Sequence, residues 1–218
     1  MIPVCVFAKA PEPGKVKTRL INALGSEGAA RLAAAMFRDT WDMVSKCAGA
    51  RPVLATLCNG AFPIAIDSGN VWLQGDGDLG MRLEKILRQG LGCACAAIAI
   101  GADAPSLTTG HLQAAIRALE NFDVVIGRSA DGGFYLLGLR QCAEGLLAQI
   151  PWSTCETAEA TVLRMRDRGL TVHELTPLFD VDTPEDLDVL VDYLRTNSSA
   201  APATRAWCIE NGLLKDHE

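Results

Sequence analysis

The sequence is short of the ligands that a soft metal centre needs. Its three histidines, His111, His173 and His217, are scattered, and none of its eight cysteines stands in a C-x-x-C pair, which argues against a zinc site. The cysteines read instead as small hydrophobes of a reducing compartment. No apolar run reaches the roughly 18 residues that a membrane span requires. The opening Met-Ile-Pro-Val-Cys-Val-Phe lacks the basic segment and long apolar stretch of a secretory signal, so a cytoplasmic location is expected. A broad basic surface is missing too. With a formal net charge of −6, the composition argues against a general nucleic-acid binder and favours a small anionic ligand. Repeats and low-complexity tracts are absent, so one domain over residues 1–197 is expected.

What is present is a chain of 218 residues, 49% hydrophobic, long enough to bury roughly 70% of its unfolded surface without a disulfide or metal. Apolar runs occur at 2–8, 52–58, 71–74, 93–100, 122–127 and 170–175, separated by helical spacing over 26–47, 78–91, 108–120, 140–149, 156–168 and 184–195. Strands too continuously apolar to have a wet face, alternating with helices, predict an α/β fold: three αβα layers around a mostly parallel sheet. The segment SADGGFYLLGL (129–139) interrupts this rhythm with a turn into a further strand, for which the antiparallel direction is open. TNSSAAPAT (196–204) has linker composition, and the residues after it can form a helix, so 198–218 reads as linker and tail helix. Trp207 and Leu213 in that tail offer a contact to their own domain or to a second subunit.

Against this acidic background, FAKAPEPGKVKTRL (7–20) concentrates Lys9, Lys15, Lys17 and Arg19 after the first strand. A P-loop is ruled out: Lys9 stands where its first glycine belongs, and Val16 where Ser or Thr must follow the lysine. What remains is a loop at the carboxyl end of a strand, the side where open α/β sheets bind ligands. Its cations can converge on phosphate oxygens, or they form a solvated basic turn. GDGDLG (75–80) matches a dinucleotide fingerprint, yet Asp76 and Asp78 bring the wrong sign to a pyrophosphate. A strand-to-helix turn with Asp78 as helix cap accounts for the spacing.

Acids close the list of candidates. Asp103 lies just beyond a strand in AIAIGADAPSL (97–107), and LFDVDTPEDL (178–187) supplies Asp180 and Asp182 before a capping box of Thr183 and Asp186. Two carboxylates about 4 Å apart repel by about 4 kcal/mol at an effective dielectric of 20, so convergence of Asp103 and Asp182 would demand a cation. Oxygen ligands, few in number, suit Mg²⁺ or Mn²⁺ completed by water and phosphates. Asp131 in DGGF could serve an acceptor as base or positioner, or could shape a turn.

Together, the segments Phe7 to Leu20, Gly101 to Leu107, Asp131 to Tyr135 and Asp180 to Leu187 resemble the DUF2064 family, also labelled arsenosugar-biosynthesis glycosyltransferases. The resemblance runs over nearly the whole chain to about residue 195. It implies the nucleotide-diphospho-sugar transferase (GT-A) fold, with a more distant similarity to 2-phospholactate guanylyltransferases and to molybdenum-cofactor and sugar-acid nucleotidyltransferases. It further implies that Ala8, Lys9, Gly14, Lys15, Lys17 and Arg19 hold nucleotide phosphates, that Gln74, Gly75 and Gly80 bound a segment on the base, and that Asp103 and Asp182 carry the metal. The chain departs from its neighbours in two places. It lacks the Gly-Gly loop of typical nucleotidyltransferases, and Gly101 stands where many glycosyltransferases have the first acid of D-x-D. The expected function is a Mg²⁺-dependent transfer from a nucleotide-diphosphate sugar to a small acceptor, with Lys17, Arg19 and Asp131 in catalytic roles. The alternatives are nucleotidyl transfer from a nucleoside triphosphate to a phosphorylated small molecule, and a non-catalytic nucleotide-binding module.

Overall fold

Each apolar run becomes a strand. The computed structural model describes residues 1–58 and 60–215; the last three residues of the expected tail helix, 216–218, lie outside them. The strands are β1 (Ile2–Phe7), β2 (Ala50–Thr56), β3 (Val71–Leu73), β4 (Ala97–Gly101), β5 (Val124–Ser129), β6 (Phe134–Leu139) and β7 (Val172–Leu178). They form one seven-stranded sheet in the order β3-β2-β1-β4-β6-β5-β7. β6 runs antiparallel to both its neighbours, and every other pairing is parallel.

Side-chain alternation along the strands builds the layers. Val4, Val6, Ile98, Ile100 and Val125 pack on one face beneath Phe37 and Val44 of α1 (Ile21–Lys46) and Leu112 and Ala115 of α3 (Thr109–Ala118). Their sequence neighbours point the other way. Ala97, Ala99, Val124, Ile126 and Leu137 meet Leu83 and Leu87 of α2 (Leu79–Leu91) and Val162 and Met165 of α4 (Thr157–Asp167). The expected three-layer α/β architecture is therefore what forms. Among the described residues, no helix is long and apolar enough to cross a membrane.

A third cluster joins the first half of α1 to α5 (Pro184–Thr196) and α6 (Pro202–Glu210) through Leu32, Met36, Leu190, Leu194, Trp207 and Cys208. The N-terminus of α6 is capped from a distance: Asp39 on α1 accepts from Ala203 N and Thr204 N, each at 2.8 Å. Burial pushes the Asp39 pKa up, and these hydrogen bonds oppose that shift. Asp39→Ala leaves two helix-terminal N–H groups unpartnered, so it is expected to lower stability by about 1–2 kcal/mol in urea unfolding.

One helix expected from the sequence does not form. Residues 141–149 are turns and irregular chain, with Gly145 and Gln149 at φ of 72° and 62°. The amides of Gly145 and Leu147 donate to the Glu84 carboxylate at 2.9 and 3.2 Å, so a side chain of α2 takes donors that a helix would have satisfied internally. Elsewhere the differences are in boundaries. β4 begins at Ala97 because Cys93 and Cys95 are exposed at the end of α2. The sequence start of 26 for α1 falls just after Gly25, whose φ of 71° interrupts the helix.

Candidate functional site

Four chain segments leave the sheet at the carboxyl edge of its parallel strands and meet there. The loop after β1 is pinned at its start by Ala8 N donating to Ala55 O at 3.1 Å, and it turns through Gly14 at φ 79°. Lys17 then adopts a left-handed backbone, φ 45° and ψ 44°, which costs a residue with a Cβ about 1 kcal/mol. The strained residue is the one that reaches inward. Its Nζ donates to Asp103 Oδ2 at 3.2 Å and to Asp182 Oδ1 at 2.6 Å, and its side chain is 10% exposed.

The two acids are brought together by backbone. Val181 N donates to Asp103 O at 3.0 Å, tying the loop after β4 to the loop after β7. Asp182 N and Thr183 N both donate to Asp186 Oδ2, at 2.9 and 2.7 Å, so the start of α5 fixes where Asp182 stands. At Gly101 a Cβ would lie 2.6 Å from Asp103 Oδ1, so a side chain there would displace the Asp103 carboxylate from its present position. Burial acts to lower the Lys17 pKa, but the charges and hydrogen bonds of Asp103 and Asp182 outweigh it and the net shift is upward, so the group is an ammonium at neutral pH. Asp180, half-buried between the same loops, is pushed up to about 6 by burial and by the charges of Asp131, Asp103 and Asp182.

Two cavities flank this clasp. One, of about 350 Å³, is lined by Ala8, Lys9, Lys15 and Lys17 and by Asp103 and Asp182. The other, of about 290 Å³, holds Asp103, Asp131 and Asp180 among Phe7, Phe134 and Trp152. Asp103 and Phe7 border both. Asp131 sits in a tight turn, its Oδ1 accepting from Gly133 N at 2.8 Å. Gly132, at φ 89°, lies where a Cβ would strike the Cys155 backbone.

Lys15, which lines the first cavity, is exposed and pairs with Glu12 at 2.5 Å. The remaining sequence candidates fall elsewhere. Arg19 is exposed on the 3₁₀ turn Thr18–Leu20, outside the lining of either cavity. Gln74 is buried with its amide nitrogen donating to Ala55 O at 2.8 Å. Gly75 has a φ of 79° beside the Lys85 ammonium, and Gly80 lets α2 approach Trp152 and Leu147 O. Asp78 caps α2 by accepting from Met81 N at 2.9 Å, so its turn chemistry accounts for the GDGDLG pattern. Sequence reading missed Trp152 and Ser129. Trp152 follows a stretch with misleading helical spacing, and Ser129 is an ordinary strand-end serine.

Carboxylate oxygens are hard donors of the kind Mg²⁺ and Mn²⁺ take, and two of them already converge on one cation, so the donor set fits a divalent ion. No three His, Cys, Asp or Glu side chains are grouped for a metal among the described residues. That is compatible with Mg²⁺, which uses one or two carboxylates and takes its other ligands from water and phosphate.

Comparison with known proteins bears on the fold. Residues 51–154 match the DUF2064 family, described as an uncharacterized protein conserved in bacteria. The matched stretch holds the GADAPSL and DGGFY motifs, while the basic loop and DVDTPEDL lie outside it. A Desulfovibrio desulfuricans protein proposed to be a nucleotide-diphospho-sugar transferase is 27% identical, with a TM-score of 0.86 over 96% of this chain and 94% of that one. A Leptospira borgpetersenii cytidylyltransferase shares the fold at 14% identity and a TM-score of 0.57, covering 100% and 98% of the two chains. So does a Mycobacterium tuberculosis protein solved in complex with manganese, at 17% identity and a TM-score of 0.52 over 88% and 99%. Among curated proteins none matches. The chain has the nucleotide-diphospho-sugar transferase fold.

Proposed function

We propose that the chain is a nucleotide-utilising transferase, and that it moves the glycosyl group of a nucleotide-diphosphate sugar to a small acceptor with the help of a divalent cation. The observation that carries this reading is the Lys17 clasp on Asp103 and Asp182, placed where a cationic cavity and an acidic, aromatic cavity meet. Further support comes from the name given to the Desulfovibrio protein and from the manganese bound by the Mycobacterium one.

Lys9, Lys15 and Lys17 would bind the diphosphate beside the Ala8 and Gly14 backbone, with Arg19 as a further cation on the adjoining turn. Gln74, Gly75 and Gly80 would flank the base. Asp103 and Asp182 would hold Mg²⁺ or Mn²⁺, which when bound neutralises charge on the departing diphosphate. In the transfer itself, an acceptor hydroxyl attacks the anomeric carbon, the bond from that carbon to the diphosphate oxygen breaks, and the hydroxyl proton passes to Asp131. Lys17 stabilises the charge that develops on the leaving oxygen. Residues 1–197 would contain every one of these groups, with α6 buttressing α1.

Turnover tests the reading. With Mg²⁺ and a panel of nucleotide sugars and acceptors, release of free nucleoside diphosphate is expected. Pyrophosphate released from a triphosphate with a phosphorylated co-substrate would instead establish nucleotidyl transfer. Metal-dependent binding without product would establish a binding module.

A further inference from the structure

The cavity next to the clasp says what kind of acceptor it admits. On the reading above it is the acceptor side, since the cations of the basic loop line only the other cavity. None of its lining residues is Lys, Arg or His, and three are aspartates: Asp103, Asp131 and Asp180. Asp182 shares the Lys17 ammonium with Asp103, so four carboxylates stand in or beside this space against one ammonium. A divalent ion would still leave an excess of negative charge, before the diphosphate contributes its own. An acceptor bearing phosphate or carboxylate would be repelled from this space.

Its walls are apolar. Phe134 and Trp152 pack edge to face with ring centroids 6.1 Å apart, and Leu79, 39% exposed, lines the cavity from the start of α2. The polar groups are few and differ in availability. The hydroxyls of Thr154 and Thr157 donate to Pro151 O at 2.9 and 2.7 Å. Ser129, 8% exposed, lines the same cavity, and its hydroxyl has no hydrogen-bond partner among the described residues. Gly133 leaves that hydroxyl uncovered, since a Cβ there would stand 3.3 Å from Ser129 Oγ. A nine-tenths buried serine whose hydroxyl opens on the cavity with donor and acceptor unused by the protein is a group a ligand can engage, as is Trp152 Nε1, which is buried without a partner.

We infer that the acceptor has an apolar body and carries an amine or hydroxyl but no anionic group, with its body against Phe134 and Trp152 and its polar end between Ser129 and the aspartates. This rests on the transferase reading only for the word acceptor; the ligand class follows from the cavity.

Four probes of similar shape test it: 2-phenylethylamine, 2-phenylethanol, 3-phenylpropionate and 2-phenylethyl phosphate. Each is titrated into the full chain while the indole N–H resonance of Trp152, assigned with Trp152→Phe, is followed by NMR. The amine is expected to bind best and the alcohol next, with both anions at least about tenfold weaker than the amine and less so at high salt. Ser129→Ala is expected to weaken amine and alcohol by about threefold to tenfold. Anions binding as tightly as the amine, or no shift of Trp152 with any probe, overturns the inference. Nucleoside diphosphate binding with Mg²⁺ is measured on the same sample. Amine preference without nucleotide binding upholds the ligand class and overturns the transferase reading; anion preference with Mg²⁺-dependent nucleotide binding does the reverse.

Discussion

Replacing Lys17 by alanine is expected to lower turnover by about 10²–10³-fold, the loss typical when one preorganised donor to a developing charge is removed. Lys17 carries this weight because its ammonium is the shielded one. Its side chain is 10% exposed, whereas Lys15 is exposed and answered by Glu12, and a charge screened by water stabilises little. The effect on folding should be smaller. Asp103 and Asp182 are 38% and 43% exposed, so water offsets most of their mutual repulsion once the ammonium is gone, and a cost of about 1 kcal/mol is expected. A glycine variant separates the two effects. Lys17→Gly deletes the same charge but relieves the left-handed backbone, so it should be as inactive as Lys17→Ala and about 1 kcal/mol more stable. Steady-state assays and urea unfolding of the pair check this; activity retained in both would leave Lys17 as a structural clasp. The pH dependence has a definite sign. The folded pKa lies above the ordinary lysine value of 10.5, so the contribution of the clasp to stability is complete below that value and is lost only as pH rises through the folded pKa. The stability gap between wild type and Lys17→Ala should therefore show no alkaline loss until pH passes about 10.5.

The layers were legible in the sequence because both faces of the inner strands are buried. Val4 to Val6 and Ala97 to Ile100 are apolar at every position, and such runs between helical spacings leave few other folds. Capping was legible for the same reason of locality: Thr183, Asp186 and Asp78 act on residues within a turn of themselves. The error at 140–149 came from a distant partner. The spacing there is helical, but Glu84, some sixty positions earlier, takes the amides of Gly145 and Leu147. The site shows the same division. That carboxylates stand beyond β4 and β7 can be read from the letters. That Val181 N ties the two loops together, and that the cation between their acids is the tip of Lys17 reaching from a left-handed residue, are facts of contact across the chain. The second cavity was invisible for that reason, since Ser129, Trp152 and Leu79 are unremarkable until three segments close around one space.

Asp103→Ala is expected to abolish the Mg²⁺ enhancement of nucleoside diphosphate binding, with the metal-dependent affinity falling by at least about tenfold to hundredfold. Asp103 is the sharper of the two acids to test because it borders both cavities, so its loss should be felt by donor and acceptor alike. Folding is little threatened. The tether between the loops uses its backbone carbonyl, which accepts from Val181 N, and alanine keeps that carbonyl. The substitution also releases one of the two carboxylates that hold Lys17, leaving the ammonium less committed within the chain. Without metal, nucleotide affinity should therefore hold or rise a few-fold, opposite in direction to the loss with Mg²⁺. Asp182→Ala should show the same inversion, whereas Glu12→Ala, which frees only the exposed Lys15, should leave the Mg²⁺ dependence in place. Calorimetric titration of a nucleoside diphosphate with Mg²⁺ and with chelator reads both quantities. Equal weakening in the two conditions would mean that Asp103 supports the cavity wall without holding the ion. Unchanged affinity and unchanged Mg²⁺ dependence would remove these acids from the metal site altogether, leaving Lys17 and its two carboxylates as an ion cluster that serves the fold.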